Sequence, residues 1–173
     1  MAVFSSFLAP FHLFAYSTLL GTQLYQTFVM VKIAHRALPR DAFTTLQKRV
    51  FPAYFRSQSL LLALVAVTLP PHGPMSLARE KADWISFLVA GVTAALNLVV
   101  FGPRTSRIMM VRKYQEKIDA QTPVDGFVGD EMKKLNRAFS WNHAMCMHLN
   151  LITIGATLWY GWTLASRLRF DAE

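Results

Sequence analysis

The sequence is poor in charge and almost without cysteine. Only 16% of its 173 residues are Asp, Glu, Lys or Arg, against about a quarter in soluble domains. The deficit is concentrated: no charged residue occurs from Met1 to Val31, Ser57 to Ala78, Trp84 to Pro103 or Ala138 to Ser166. A helix that crosses a bilayer needs about 20 mostly apolar residues. Four such windows leave too little chain to build a soluble domain, which excludes a water-soluble enzyme. One cysteine, Cys146, excludes an intrachain disulfide framework and a Cys-rich zinc site. No Asp or Glu falls inside any window, and HExxH, GxSxG and glycine-rich phosphate-loop patterns are absent. Hydrolysis and phosphoryl transfer therefore have no candidate residues, and no catalytic activity and no cofactor are expected.

The charge that is present is one-sided. The connections 32–56, 79–83, 104–137 and 167–173 carry +5, 0, +3 and 0 of the total +8. Fourteen of the 18 Lys and Arg residues lie in the first and third connections. Lys and Arg are retained on the cytosolic face of a membrane. Loops 32–56 and 104–137 are therefore expected in the cytosol, with both termini on the opposite side. The basic loops then face anionic lipid headgroups, and no nucleic-acid partner is expected. The start of the chain lacks the basic n-region of a signal peptide and has no Arg in its first 31 residues. The expectation is a retained first span in an endoplasmic-reticulum, endomembrane or plasma membrane rather than a mitochondrial one.

The fold class that follows is all-α: a single polytopic domain over 1–173, a four-transmembrane-helix bundle with spans at about 10–31, 54–70, 84–103 and 141–164. Pro10 suits the first turn of span one, with an aromatic collar at Phe4, Phe7, Phe11 and Phe14. Thr44-Thr45-Leu46-Gln47 fits a capping box. Phe43, Leu46 and Val50 then make a short amphipathic interfacial helix in the first loop. Pro52 is expected to kink the start of span two. Span two has almost nothing polar between Leu60 and Leu69 and suits a lipid-facing position. Gly102-Pro103 marks the end of span three, with helical pattern extending through Tyr114 before a turn at 122–126.

Polar residues inside a bilayer are costly unless they face other helices. At about 100° per residue, His12, Tyr16, Thr22, Gln23, Gln26 and Thr27 share one stripe of span one. Ser86, Ala90, Thr93 and Asn97 share a face of span three, which Arg104 extends. His143, Cys146, Met147, Asn150, Thr157 and Gly161 share a face of span four. The richest parts coincide in depth. Gln23, Gln26, Arg56, Asn97, Arg104, His143 and Asn150 are thus candidates for a ligand-binding pocket facing the cytosol, with interhelical hydrogen bonding as the alternative role. Arg104, with five donors in a planar fork, suits a phosphate or carboxylate. His143, Cys146 and Met147 are the residues that would converge on a soft metal such as copper(I). Paired haem ligation by His12 and His143 is disfavoured by their opposite depths.

Several of these segments also resemble a known family. His12-Leu13-Phe14-Ala15-Tyr16-Ser17 leading to Gly21 and Gln26-Thr27-Phe28 resembles the first helix of the transmembrane protein 205 family, a domain of unknown function. So do Leu46-Gln47 with Val50-Phe51-Pro52-Ala53-Tyr54-Phe55, Asn97 with Phe101-Gly102-Pro103-Arg104-Thr105, and Phe139 with His143 and Asn150-Leu151. The resemblance runs over about residues 10 to 160. It implies a small four-span eukaryotic membrane protein with no settled reaction, substrate or cofactor, and suggests handling of soft-metal drugs or membrane trafficking.

The leading expectation is a non-enzymatic membrane protein whose polar intramembrane pocket binds or transports a small molecule, lipid or soft metal. The alternatives are a structural or scaffolding membrane subunit, paired with a membrane protein partner or its own copy, and a haem- or copper-linked membrane redox protein.

Overall fold

A computed structural model of the chain describes residues 2–77, 81–121 and 129–167. Among the described residues all regular structure is helical, arranged as four long rods. The first rod joins α1 (Ala2–Leu24), a π-helical turn (Tyr25–Met30) and α2 (Val31–Ala37). It stops at Leu38, whose extended backbone (φ −110°, ψ 142°) is what a residue before proline adopts. Pro10 lies within α1 rather than in its first turn. Residues ahead of it find hydrogen bonds only within the chain once lipid surrounds them, so the helix begins before the proline.

The second rod is α3 (Arg40–Val67), a continuous helix of 28 residues with Pro52 inside it. The expected interfacial helix is the beginning of this rod and not a separate element. The physical reason is its inner face: Gln47, Tyr54, Phe55, Gln58, Leu62 and Val65 are all buried at helical spacing. That packing runs past Pro52 without a change of face. The other side of span two, with Leu60 and Val67, is exposed, as a lipid-facing helix requires.

A turn at 68–73 and the single helical turn α4 (Pro74–Leu77) lead to the third rod. This rod joins α5 (Lys81–Leu96), a second π-helical turn (Asn97–Phe101) and α6 (Gly102–Gln121). Gly102-Pro103 does not end the helix, and the rod continues past Tyr114 to Gln121. Pro103 has no N–H to offer the turn behind it. The backbone widens instead, and Gly102 N–H bonds the Asn97 carbonyl five residues back. The turn expected at 122–126 lies outside the described residues. The fourth rod is α7 (Asp130–Ser166), with Asp130 and Glu131 in its first turn, where they favour the positive end of the helix dipole.

The rods share one core. Ala15, Tyr16 and Leu19 of α1 meet Leu62 and Val65 of α3, Phe87, Ala90 and Ala94 of α5, and Tyr160 of α7. The outside is as apolar as the inside: Phe7, Phe14, Leu60, Val99, Trp159 and Trp162 are all exposed. Two helices, Arg40–Val67 and Asp83–Ala120, are long and apolar enough to cross a membrane, yet only 22% and 33% of their apolar windows are buried. A soluble core helix would be mostly buried. The outward apolar surface, continued by the exposed aromatics of α1 and α7, identifies a membrane protein.

The π turn at Asn97–Phe101 leaves little room. A Cβ on Gly102 would lie 2.5 Å from the Asn97 carbonyl oxygen and 3.2 Å from the Phe55 ring, whereas one on Gly155 meets nothing within 4 Å. Gly102→Ala is therefore expected to destabilise the fold by about 1–3 kcal/mol through overpacking. Gly155→Ala should leave the melting temperature unchanged or slightly raised. Thermal unfolding in one detergent compares the two, and equal melting temperatures would contradict the close approach.

Candidate functional site

The four rods meet at one polar level. In α7, Asn150 accepts hydrogen bonds at Oδ1 from the Tyr54 hydroxyl (2.8 Å) and Gln58 Nε2 (3.1 Å), both on α3. Asn150 Nδ2 donates to Thr27 Oγ1 in the first rod's π turn (2.9 Å). From the third rod, Asn97 Nδ2 donates to the Cys146 carbonyl, one turn before Asn150 (3.1 Å). Thr93, one turn from Asn97, meets Thr153 at 2.7 Å between hydroxyls. Each such bond contributes about 1 kcal/mol or less. Together they tie every rod to α7 at the same depth.

The level is not self-sufficient. Gln23 is fully buried, with 0% of its surface exposed, one turn along α1 from Thr27. Neither its amide nitrogen nor its amide oxygen has a partner among the described residues. Gln58 Oε1, Asn97 Oδ1 and the half-buried Gln26 Nε2 are in the same condition. Toward the end of the bundle formed by Arg40 and Asp130, the buried Gln47 is also without amide partners. Gln47, Tyr54 and Gln58 thus form a polar stripe on the inner face of α3, leading to the level. Buried polar groups are almost always hydrogen-bonded, and each unpaired one costs about 1–3 kcal/mol.

Past the level the interior turns apolar. Leu19, Leu62, Val65, Phe87 and Ala90 close around a cavity of only about 10 Å³, the size of a single water. Beyond them lies a second, fully paired cluster. His12 is 1% exposed and joins Thr68 Oγ1 through Nδ1 (3.1 Å) and the Tyr160 hydroxyl through Nε2 (2.5 Å). Tyr16 donates to the Thr157 carbonyl at 3.3 Å. Its hydroxyl occupies the place where a Cβ on residue 161 would stand, so only glycine fits there. The end of the bundle is closed by Asp83, 1% exposed, which accepts two bonds from the Arg167 guanidinium at 2.6 and 3.1 Å.

Of the candidates from the sequence, Asn97 bonds α7 within one turn of Asn150, and Gln23 and Gln26 lie within about one turn of Thr27, which Asn150 bonds. Arg56 and Arg104 do not join them, since both are exposed. The wheel at 100° per residue fails for Arg104 because the π turn between it and Asn97 advances the chain more slowly and rotates it off the face. His143 stacks on Phe139 (5.5 Å, 6° between planes), and Phe139 in turn lies under Arg112. Cys146 is buried with its Sγ 3.4 Å from Thr105 Oγ1, while Met147 is 52% exposed. His143, Cys146 and Met147 therefore do not face a common point. Among the described residues no three of His, Cys, Asp and Glu are placed to hold a metal ion. His12 meets α7 at Tyr160, about 25 Å along the helix from His143. Gln58, Thr68, Thr153, Asp83 and Arg167 were not singled out beforehand, and Tyr54 entered only through the family resemblance. Tyr54 and Gln58 stand one helical turn apart, which was the available signal.

The Asp83–Arg167 pair yields an asymmetric expectation. The carboxylate is buried, while Arg167 is 44% exposed along its side chain. Arg167→Ala leaves a buried charge unpaired and should cost about 3 kcal/mol. Asp83→Asn should cost less, and adding it to Arg167→Ala should recover part of the loss. Thermal unfolding of the three variants checks this; equal small effects for both single variants would mean that Asp83 is solvated.

Comparison with known proteins places this architecture. The family model described as a domain of unknown function (DUF4149) matches residues 14–114. The chain is 42% identical over 161 residues to xanthocillin biosynthesis cluster protein D of Aspergillus fumigatus, covering 93% of this chain and 91% of that protein. It is 28% identical over 123 residues to transmembrane protein 205 of Danio rerio, covering 65% of this chain and 61% of that one. No solved structure matches significantly. An all-helical membrane protein matched along most of its length by such relatives belongs to the DUF4149 family, the family of transmembrane protein 205-like proteins.

Proposed function

We propose that the protein is a non-enzymatic, four-span membrane protein that binds a small molecule, or the polar part of a lipid, at the level of Gln23, Gln58, Asn97 and Asn150, as a step in its transport or handling. The observation that carries this reading is Gln23: a fully buried amide with neither atom partnered among the described residues. A group kept only to join helices would end in a hydrogen bond, as Asn150 does.

The four rods are read as four spans, with the basic connections 32–56 and 104–137 in the cytosol of an endomembrane or plasma-membrane system. Access then comes from the cytosolic end, along the stripe of Gln47, Tyr54 and Gln58. The apolar layer of Leu19, Leu62 and Val65 and the His12 cluster close the opposite side. One relative is named for a biosynthesis cluster, which fits a membrane protein that attends to a small molecule. The hydrogen bonds among Tyr54, Asn150, Gln58 and Thr27 favour the second reading, a scaffold held together by interhelical bonds. The separation of His143, Cys146 and Met147 speaks against a redox role through a shared metal.

Native mass spectrometry of protein released from mild detergent tests the proposal. Wild type is expected to retain a molecule from its host membrane. Gln23→Leu and Asn97→Leu are expected to lose it while still folding, and removal of the unpaired Gln23 amide should hold or raise the melting temperature. A wild type that carries nothing, together with a raised melting temperature in Gln23→Leu, would assign the layer to packing and favour the scaffold. The orientation has its own check. In cells where the protein reaches the plasma membrane, cysteines placed at Asp41 and Asp130 should react with an impermeant reagent only after the membrane is opened, and labelling of sealed cells would reverse the topology.

A further inference from the structure

Resting on the reading of the polar level as a binding site, we propose that its ligand presents an uncharged group with two hydrogen-bond donors and an acceptor, of the primary-amide type, rather than an ion. Charge is the first ground. Among the described residues the one charged side chain that is nearly fully buried is Asp83, and it is held by Arg167 at the far end of the bundle. Arg56 and Arg104, the cations nearest in sequence, face outward. An anion or cation brought to the level would be desolvated with no counter-charge, which is far costlier than burying a neutral group that finds its hydrogen bonds.

The second ground is the balance of donors and acceptors. Asn97 gives its Nδ2 to a backbone carbonyl, which fixes the orientation of its amide and makes the remaining atom an acceptor. Gln58 gives its Nε2 to Asn150 and Tyr54, and its Oε1 is left. Gln23 has both an N–H donor and a carbonyl acceptor left. Gln26 adds a second unpaired amide nitrogen, so the level presents three acceptor oxygens and two donor nitrogens, with Gln23 able to form a donor–acceptor pair. A primary amide, with two N–H donors and a carbonyl, can serve two of the three oxygens and return an acceptor to one amide nitrogen. A carboxylate, which has no donors, would leave every oxygen unpaired.

The third ground is compliance. The level is the place where two rods carry π turns, Tyr25–Met30 and Asn97–Phe101. A π turn is a locally rearranged hydrogen-bond ladder of the kind that recurs at functional sites. Both lie beside the unpaired amides, so the walls that must part to admit a ligand are those whose backbone is least regular.

Three probes of one shape and different charge separate the possibilities: benzamide, benzoate and benzamidinium. Each is titrated into the purified full-length protein in detergent at neutral pH, with a saturable rise in melting temperature as the readout. Benzamide is expected to give such a rise, and Asn97→Leu and Gln23→Leu are each expected to weaken it by about tenfold. Gly155→Ala should leave it unchanged. Benzoate and benzamidinium are expected to give none. Saturable binding of either ion that depends on Asn97 would overturn the neutral class while leaving the site in place. A benzamide effect equal in all variants would overturn the assignment of the class to this level. No response to any probe, together with a wild type that retains no molecule from its membrane, would overturn both the class and the site.

Discussion

Lipid offers a protein no hydrogen bonds, and the rest of this structure depends on that constraint. Every polar group that enters the bilayer must find its partner inside the bundle. The outer faces of the rods are accordingly Phe, Leu, Val and Trp, and the polar side chains turn inward. Most of them are matched. His12 lies between Thr68 and Tyr160, Asp83 receives both arms of Arg167, and Asn150 is bonded from two sides. Against this background of pairing, the unpaired amides of Gln23, Gln58 and Asn97 stand out. Asn97 opens one π turn, Gln23 stands just before the other, and Gln58 bonds Asn150 between them.

The bundle is graded along its axis. At the end of Arg40 and Asp130, charged residues pair on the surface, as in Lys113–Asp41 and Arg40–Glu116. Such exposed pairs add little stability. The middle is an amide-rich level that joins all four rods. Next comes the apolar layer of Leu19, Leu62, Val65 and Phe87, where close packing leaves room for no more than a water. The far end is closed by the histidine cluster and the buried ion pair. The paired clusters and the apolar core lie toward the far end, while the unpaired buried amides run from the middle toward the end of Arg40 and Asp130.

The helices are continuous where local sequence rules would break them, and the reason is tertiary. Pro52 lies within α3, whose buried stripe from Gln47 to Val65 keeps one helical face on both sides of it. Pro103 follows a π turn instead of a helix end because Gly102 allows the backbone to approach the Asn97 carbonyl and the Phe55 ring. In a bilayer the alternative to a distorted helix is a set of unbonded backbone groups, which costs more than the distortion.

Much of this was legible in the residues alone. The charge-free windows determined that the chain is a helical membrane protein, because apolar length is a one-dimensional property. The inward stripes of α1 and α5 were readable from helical period as far as the period holds, which is why Gln23, Thr93 and Asn97 were found. Arg104 was misplaced for the same reason, since a wheel drawn at a constant angle does not survive a π turn. Gln58 was passed over and Tyr54 entered only through a family resemblance, because nothing along α3 announces a partner; both became part of the site only when α7 brought Asn150 against them. Asp83 and Arg167 lie at the start of one rod and just past the end of another, far apart in sequence, and only the packing of those rods makes them an ion pair. The sequence by itself determined which side chains must avoid lipid, because that is a property of each residue. Which of them meet, and which are left unpaired, depends on the relative rotation of four helices, and the tertiary structure alone decides that.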